Sequence, residues 1–240
     1  MASGATDPPG PLIGSGRAAD VYEAGPDQVL RRYRTPFNVE PEARLMEHLH
    51  KTGFPVPRVY AADGGDLVME RLRGPDMLTD LARRPWLAAR HGRTLGQLHE
   101  RLHELPAPAG LRQAFSAGDP ADNRILHLDL HPGNVMLTDR GPVVIDWSNV
   151  AAGPAGADVA MAWLLMQTSE VDALPLWMRT ASGIVRSILI RRFRAAVSTD
   201  PGPFLRSVAR ARLNDRNVRP AEAARLRRLM RSQPGHTTVE

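Results

Sequence analysis

The stretch His127–Asn134 reads HLDLHPGN, and the apolar run Val143–Trp147 that follows it reads VVIDW. Asp129 and Asn134 stand five residues apart in a predicted loop. Asp146 lies near the end of a predicted strand, where a side chain can project into the floor of a cleft. Carboxylate and amide oxygens are ligands that suit Mg²⁺, and a carboxylate can also orient an attacking hydroxyl group. We therefore expect these three side chains to converge at a site for phosphoryl transfer.

A glycine-bearing hairpin precedes this region. Gly14, Ser15 and Gly16 stand before two predicted strands, which flank the turn signal Gly25–Asp27. Glycines let a backbone approach phosphate oxygens closely, so that its N–H groups can bind them. The other common phosphate-binding loop, GxxxxGK followed by Ser or Thr, is absent from the sequence.

In its motifs the chain resembles the aminoglycoside phosphotransferase family, the small-molecule branch of the protein-kinase-like fold. The resemblance rests on the HxDxxxxN loop of His127–Asn134 and on the Ile145–Trp147 metal motif, and in motif order it covers roughly residues 12–166. It implies that Asp129 is the catalytic base and that Asn134 and Asp146 bind Mg²⁺. It also implies that ATP is the cofactor and a small hydroxylated compound the acceptor.

Two further parts of the nucleotide site follow from the resemblance. The third strand of the family supplies a lysine that pairs with a helix glutamate, and here Arg31 and Glu42 stand at those positions. Arginine keeps the charge of lysine but has a different reach. The segment that meets the adenine edge corresponds to residues 67–72, from which we assign Met69, Glu70 and Leu72 to the nucleotide site.

A second aspartate of the family braces the catalytic loop from a helix. Asp158, which follows the metal motif by twelve residues, is its counterpart here. Leu128 stands where many members of the family have glycine, next to the expected base.

The pattern along the chain predicts an α+β, bilobal protein-kinase-like fold. Residues 1–11 form a flexible leader, residues 12–73 a small sheet-rich nucleotide-binding lobe, and residues 74–240 a larger, mainly helical lobe with the catalytic and metal loops. A helix is expected over Glu42–His50, where the apolar residues share one face. The change from strands to helices falls near Gly74-Pro75.

Composition excludes several classes of protein. The chain of 240 residues has no cysteine, which rules out disulfides, thiolate metal sites and cysteine nucleophiles. The first eleven residues lack a secretory pattern, and the longest apolar run, Val159–Met166, is too short to span a bilayer. We therefore expect a cytoplasmic protein without a membrane partner.

Three alternatives remain open. Arg31 and Leu128 are compatible with a nucleotide-binding pseudokinase that has little or no transfer activity. The alternation of His127, Asp129 and His131 also suits a metal hydrolase. The arginines of residues 225–231 suggest contact with nucleic acid, but the leucines between them favour an amphipathic helix with a solvated face, so a nucleic-acid partner is not expected. The acceptor could be an antibiotic, a sugar or an amino alcohol, and nothing indicates the oligomeric state.

Overall fold

The computed structural model describes residues 10–16, 18–115, 122–168, 176–215 and 218–232. The backbone contacts of the chain divide it into two units. The first unit consists of Met1–Asp76 and Val135–Ser148, and the second of Met77–Asn134 and Asn149–Glu240.

The first unit is built on a five-stranded antiparallel sheet with the strand order β1-β2-β3-β5-β4. Its strands are β1 (Leu12–Ser15), β2 (Ala19–Glu23), β3 (Gln28–Tyr33), β4 (Val59–Asp63) and β5 (Asp66–Glu70). A separate antiparallel hairpin consists of β7 (Val135–Thr138) and β8 (Gly141–Val144). The predicted hairpin around the Gly25–Asp27 turn is confirmed, because β2 and β3 pair across it.

Helix α1 (Glu40–Lys51) begins with a proline in its first turn and acidic residues at Glu40 and Glu42. A proline is tolerated there because the first N–H groups of a helix have no partner inside it, and negative charge is favourable at this end. Its apolar face is buried and contains Leu45, Met46 and Leu49. The predicted helix is thus confirmed, with slightly wider limits.

The second unit is mainly helical. Its helices are α2 (Met77–Arg83), α3 (Ala88–His103), α4 (Ala155–Thr168), α5 (Leu176–Arg194), α6 (Leu205–Leu213) and α7 (Pro220–Ser232). The short strands β6 (Arg124–Leu126) and β9 (Ala151–Gly153) pair antiparallel. Helix α4 is apolar around most of its circumference and lies in the core, packed with residues of α6 and α7. Leu226 of α7 is fully buried there, so the amphipathic character predicted for this helix is confirmed.

The α+β class with a small antiparallel sheet towards the N-terminus and a helical C-terminal part is confirmed. The predicted lobe limits, 12–73 and 74–240, remain predictions, and in the division above residues 135–148 group with the N-terminal residues. Of the predicted leader, only Gly10 and Pro11 lie among the described residues. None of the helices in the described ranges is long and apolar enough to cross a membrane.

Helices α3 and α5 approach each other at two glycines one turn apart. A Cβ atom at Gly92 would lie 2.3 Å from the carbonyl oxygen of Leu189, and one at Gly96 would lie 2.9 Å from the carbonyl oxygen of Phe193. Both distances are far shorter than van der Waals contact, so any larger residue would force the helices apart.

We predict that Gly92→Ala lowers the free energy of unfolding by about 2 kcal/mol, because the added methyl group overpacks this contact. The matched control is Gly183→Ala on α5, where no atom lies within 4 Å of the new Cβ. That variant gains helix propensity and should be more stable by about 0.5–1 kcal/mol. Urea unfolding of both variants tests the prediction, and a shift of the same sign in both would contradict it.

Candidate active site

Asp129 and Asn134 are in contact within the second unit. The Nδ2 of Asn134 donates hydrogen bonds to the carbonyl oxygen of Asp129 at 2.9 Å and to its Oδ2 at 3.1 Å. Both donors of the amide are thereby directed towards Asp129. The side chain of Asp129 is partly exposed.

The two histidines of this loop bind backbone groups. The Nδ1 of His127 accepts a hydrogen bond from the N–H of Asp129 at 3.3 Å. The Nδ1 of His131 accepts one from the N–H of Gly133 at 3.0 Å, and its Nε2 lies 3.8 Å from Oδ1 of Asp129. Each ring therefore stabilises a turn of the loop. No group of three or more His, Asp or Glu side chains within the described ranges is placed to hold a metal ion.

Asp158 of α4 stabilises the loop that contains Asp129. Its side chain is 1% exposed. Its Oδ1 accepts the N–H of Leu128 at 2.7 Å, and its Oδ2 accepts the N–H of His127 at 3.3 Å. The bracing role expected for Asp158 is thus confirmed. Leu128 adopts φ +60°, a left-handed conformation that is costly for a branched side chain. Glycine adopts it without this cost, which explains why glycine suits the position.

Asp158 also binds His103 of α3, whose Nε2 lies 3.0 Å from Oδ2. Burial alone would raise the pKa of Asp158, but the hydrogen bond from His103 and the neighbouring histidines outweigh it. The pKa of Asp158 is therefore held well below its usual range, and the carboxylate stays ionised. His99, which stacks edge-on against His103 and Phe193, completes this buried group.

Arg31, Glu42 and Asp146 come together in the first unit. The guanidinium group of Arg31 on β3 is almost fully buried and forms an ion pair with Glu42 of α1. Its Nη1 lies 3.6 Å from Oδ1 of Asp146. Burial alone would lower the pKa of Arg31, but the carboxylate of Glu42 outweighs it and raises the pKa above its ordinary value. The lysine–glutamate pair of related proteins is thus matched here by a buried arginine–glutamate pair.

Tyr33 supports this ion pair and was not found by sequence reasoning. Its hydroxyl group donates to Oε2 of Glu42 at 3.3 Å, and its ring centroid lies 5.1 Å from Cζ of Arg31. The ring of Phe37 stacks on the ring of Tyr33, with the two centroids 4.2 Å apart. Burial raises the pKa of Tyr33 above its ordinary value, so its hydroxyl group remains a donor at neutral pH.

Asp146 follows β8 and adopts φ +63°. Its carboxylate is 44% exposed, and its Oδ1 accepts a hydrogen bond from the hydroxyl group of Ser148 at 2.8 Å. The next residue, Trp147, is fully buried and packs edge-on against Phe54. The buried indole therefore anchors the turn that presents the carboxylate of Asp146.

The glycine segment forms the end of β1 and the start of the turn to β2, and its role in phosphate binding stays a prediction. The N–H of Gly16 donates to the carbonyl oxygen of Ala19 at 2.9 Å, which closes the turn. Gly14 pairs with Val21 in the sheet, and Ser15 with Asp20. Arg34 reaches this segment from the end of β3, a contact that sequence reasoning also missed.

The predicted adenine-edge residues lie at the end of β5. Met69 is paired with Val29 of β3 and Val59 of β4, so its backbone is in the sheet interior. The carboxylate of Glu70 accepts hydrogen bonds from the backbone N–H of Arg58 at 3.1 Å and from Arg140 at 2.7 Å. Leu72 follows the strand and is half-buried. Their assignment to the nucleotide site stays a prediction.

Each of the two predicted metal ligands offers a donor atom of a kind that a hard divalent cation binds, and their joint binding of one ion stays a prediction. Asn134 offers its amide oxygen, and Asp146 has a second carboxylate oxygen, Oδ2, that no described residue binds. Oxygen atoms of these two kinds are what Mg²⁺ prefers, and the exposure of Asp146 leaves room for the water ligands that Mg²⁺ retains.

An antiparallel sheet with a buried Arg–Glu pair, followed by helices with a loop that carries Asp129 and Asn134, defines the class of kinase-like phosphotransferases. The profile of the phosphotransferase enzyme family, APH, matches residues 10–120 and 100–194. The chain belongs to this family. The prediction of a kinase that acts on a small molecule is thereby confirmed. No curated protein sequence matches the chain.

Solved structures share the fold at low sequence identity. Aminoglycoside phosphotransferase APH(4)-Ia is 13% identical, with a TM-score of 0.60 and 93% of each chain covered. A choline/ethanolamine kinase family protein from Mesorhizobium loti is 19% identical, with a TM-score of 0.58 over 95% of this chain and 90% of that one. Amicoumacin kinase hAmiN, in complex with AMP-PNP, Ca²⁺ and Ami, is 14% identical, with a TM-score of 0.56 over 96% and 90%.

We predict that Asp158→Asn lowers the free energy of unfolding by about 3–5 kcal/mol, because an amide cannot accept all three donors and leaves His103 without a charged partner. Asp27→Asn is the control, since that side chain is 79% exposed and surface substitutions change stability little. Urea unfolding at neutral pH compares the two. Equal effects of the two substitutions would contradict the bracing role.

Acid should destabilise the protein through His99. Complete burial lowers the pKa of His99 from 6.5 to about 4, although Asp158 acts in the opposite direction. The unfolded chain takes up this proton near pH 6.5 and the folded chain only near pH 4. Stability contributed by neutral His99 is therefore present above pH 6.5 and is lost as the pH falls towards 4, by about 3 kcal/mol in all.

The variant His99→Met lacks this proton-binding site and should lose less stability than the unsubstituted protein over the same pH interval. The exposed residue His50 provides the control, through the variant His50→Gln. Urea unfolding across pH 4–7 measures the difference. Parallel profiles for His99→Met and the unsubstituted protein would show that His99 is not the group responsible.

Proposed function

We propose that this phosphotransferase moves the γ-phosphoryl group of ATP to a hydroxyl group of a small molecule, with Mg²⁺ as the metal ion. Membership of the phosphotransferase enzyme family supports the reaction class. The complex of hAmiN with AMP-PNP and Ca²⁺ supports the use of a nucleotide and a divalent cation. The acceptor is an antibiotic, a sugar or an amino alcohol.

Asp129 is the catalytic base in this proposal. It accepts the proton of the acceptor hydroxyl group as the oxygen forms its bond to phosphorus and the bond from phosphorus to ADP breaks. The observation that carries this role is the double hydrogen bond from Asn134 to Asp129, which fixes the loop. A fixed carboxylate lowers the entropic cost of placing the hydroxyl group correctly.

Arg31 supplies the fixed positive charge for the phosphates. Its ion pair with Glu42 and its contact with Tyr33 hold the guanidinium group in one orientation, so little reorganisation is needed when nucleotide binds. Asn134 and Asp146 would hold the metal ion through their side-chain oxygens. Mg²⁺, when bound, offsets the charge of the phosphate oxygens and of the ADP that leaves.

The pseudokinase alternative receives no support from the two residues that suggested it. Arg31 forms the ion pair with Glu42 that the lysine of related proteins makes. Leu128 has the left-handed conformation that glycine would have, and its N–H remains bound to Asp158. Both substitutions are therefore compatible with an intact loop and an intact sheet.

The test is a screen of hydroxylated metabolites and antibiotics for an ATP-dependent gain of one phosphoryl group in mass. With the acceptor found, Asp129→Asn should lower kcat by about 10²–10⁴-fold, because the general base is lost. The affinity for ATP should be retained. Removal of Mg²⁺ with a chelator should abolish transfer in the unsubstituted protein.

Asp139→Asn is the matched control, since Asp139 is an exposed carboxylate in the turn between β7 and β8. It should keep full activity. Full turnover by Asp129→Asn would refute the assignment of the base. A protein that binds ATP but phosphorylates nothing in the screen, and also fails to hydrolyse ATP, would favour the pseudokinase.

A further inference from the structure

Arg34, directly after β3, contacts the glycine segment with most of its guanidinium group. Its Nη2 donates to Oγ of Ser15 at 2.6 Å and to the carbonyl oxygen of Gly16 at 3.0 Å. The Nε and Nη2 atoms also bind both carboxylate oxygens of Asp20, at 2.9 and 2.5 Å. Its own backbone N–H donates to the carbonyl oxygen of Ala18 at 3.0 Å. One side chain therefore joins both sides of the turn that contains the proposed phosphate-binding residues.

Ser15 and Asp20, which both bind Arg34, are also hydrogen-bonded to each other. The hydroxyl group of Ser15 accepts a hydrogen bond from Arg34 and donates one to Oδ1 of Asp20 at 2.7 Å. The hydrogen bonds from Arg34 and Ser15 lower the pKa of Asp20 to about 2, so it is ionised at neutral pH. Without Arg34, this charge would lie beside the segment to which phosphates are proposed to bind, and it would repel them.

The contribution of this cluster is local. Arg34 and Asp20 are partly exposed, and ion pairs in contact with water contribute little to the free energy of unfolding. A segment with two glycines has many backbone conformations when it is not held. Ordering such a segment on binding costs affinity, and a contact that orders it beforehand removes the cost.

Arg32, on the strand that ends just before Arg34, provides an internal comparison. Arg32 binds both carboxylate oxygens of Asp66 through Nε and Nη2, at 2.7 and 2.5 Å. This pair has the same bidentate geometry and a similar exposure to that of Arg34 and Asp20. It joins β3 to β5, however, whereas the hydrogen bonds of Arg34 reach Ser15 and Gly16. The two pairs therefore differ in what they hold rather than in their strength.

We propose that Arg34 is a positioning residue that holds Gly14, Ser15 and Gly16 in the conformation that receives the phosphates of the nucleotide. The inference rests on the proposed function, because it assumes that this segment binds ATP. It assigns a role in nucleotide affinity to a residue outside the glycine segment itself.

The experiment compares the binding of ATP and of adenosine to the full chain by calorimetry. Arg34→Ala should weaken ATP binding about tenfold and leave adenosine binding unchanged, since adenosine lacks phosphates. Arg32→Ala should leave both affinities unchanged. In steady-state kinetics Arg34→Ala should raise KM for ATP by the same factor without changing KM for the acceptor. Arg34→Ala and Arg32→Ala should have the same melting temperature.

The partner residue gives a second, independent variant. Asp20→Asn removes the repelling charge as well as the hydrogen-bond acceptor, so it should weaken ATP binding less than Arg34→Ala does. The double variant should bind ATP more tightly than Arg34→Ala alone, because the uncompensated carboxylate is gone. A double variant that is weaker than both single variants would contradict the role of charge compensation.

Two outcomes would overturn the inference. Equal loss of ATP and adenosine binding in Arg34→Ala would mean a general structural role. Tighter ATP binding in that variant would mean that the cluster opposes nucleotide binding. If Arg34→Ala fails to fold, Arg34→Lys, which keeps the charge but not the bidentate contact, takes its place with the same expectations. Failure of the unsubstituted protein to bind ATP at all would instead refute the proposed function.

Discussion

The carboxylate of Asp158 is the interaction on which the loop of Asp129 depends. It is buried in a mainly apolar core, where an ionised group without partners would be very costly. Two backbone N–H groups and the ring of His103 supply the partners. Because those N–H groups belong to His127 and Leu128, satisfying the buried charge also fixes the backbone just before Asp129. The left-handed conformation of Leu128 persists since its N–H has this acceptor.

Two arginine–carboxylate pairs of the first unit differ in their physical roles. Arg31 and Glu42 are buried, so each depends on the other to offset the loss of hydration, and separation of the pair would be costly. Arg34 and Asp20 stay in contact with water, and little is lost from the stability of the fold when they separate. The buried pair fixes the position of a charge, whereas the exposed pair orders a short length of backbone.

Sequence reasoning succeeded where the relevant residues are close together in the chain. The spacing between Asp129 and Asn134 is short enough for a single loop, and the two side chains do form hydrogen bonds. The hairpin of β2 and β3 could be located from its turn residues. The helical spacing of apolar residues likewise indicated α1. The helix begins two residues before and ends one residue after the predicted limits.

Sequence reasoning failed where contacts depend on the strand register or join segments that are distant in the chain. Asp20 lies opposite Arg32 in the sheet, yet it binds Arg34 on the diagonal, while Arg32 binds Asp66 on the other neighbouring strand. Diagonal neighbours are within reach of a long side chain, so the register alone leaves two partners possible. His103 could be recognised as a helix residue, but its partner Asp158 lies 55 residues away. The pairing of Tyr33 with Glu42 requires the packing of α1 on the sheet, which no local pattern contains.

The arginine on β3 also changes which chemical reagents can label this protein. An acylating reagent reacts with the amine of a lysine, whereas a guanidinium group that stays protonated is a very poor nucleophile. The sequence contains a single lysine, Lys51, at the exposed end of α1. An amine-directed reagent that binds near Arg31 therefore finds no lysine side chain on that strand to modify.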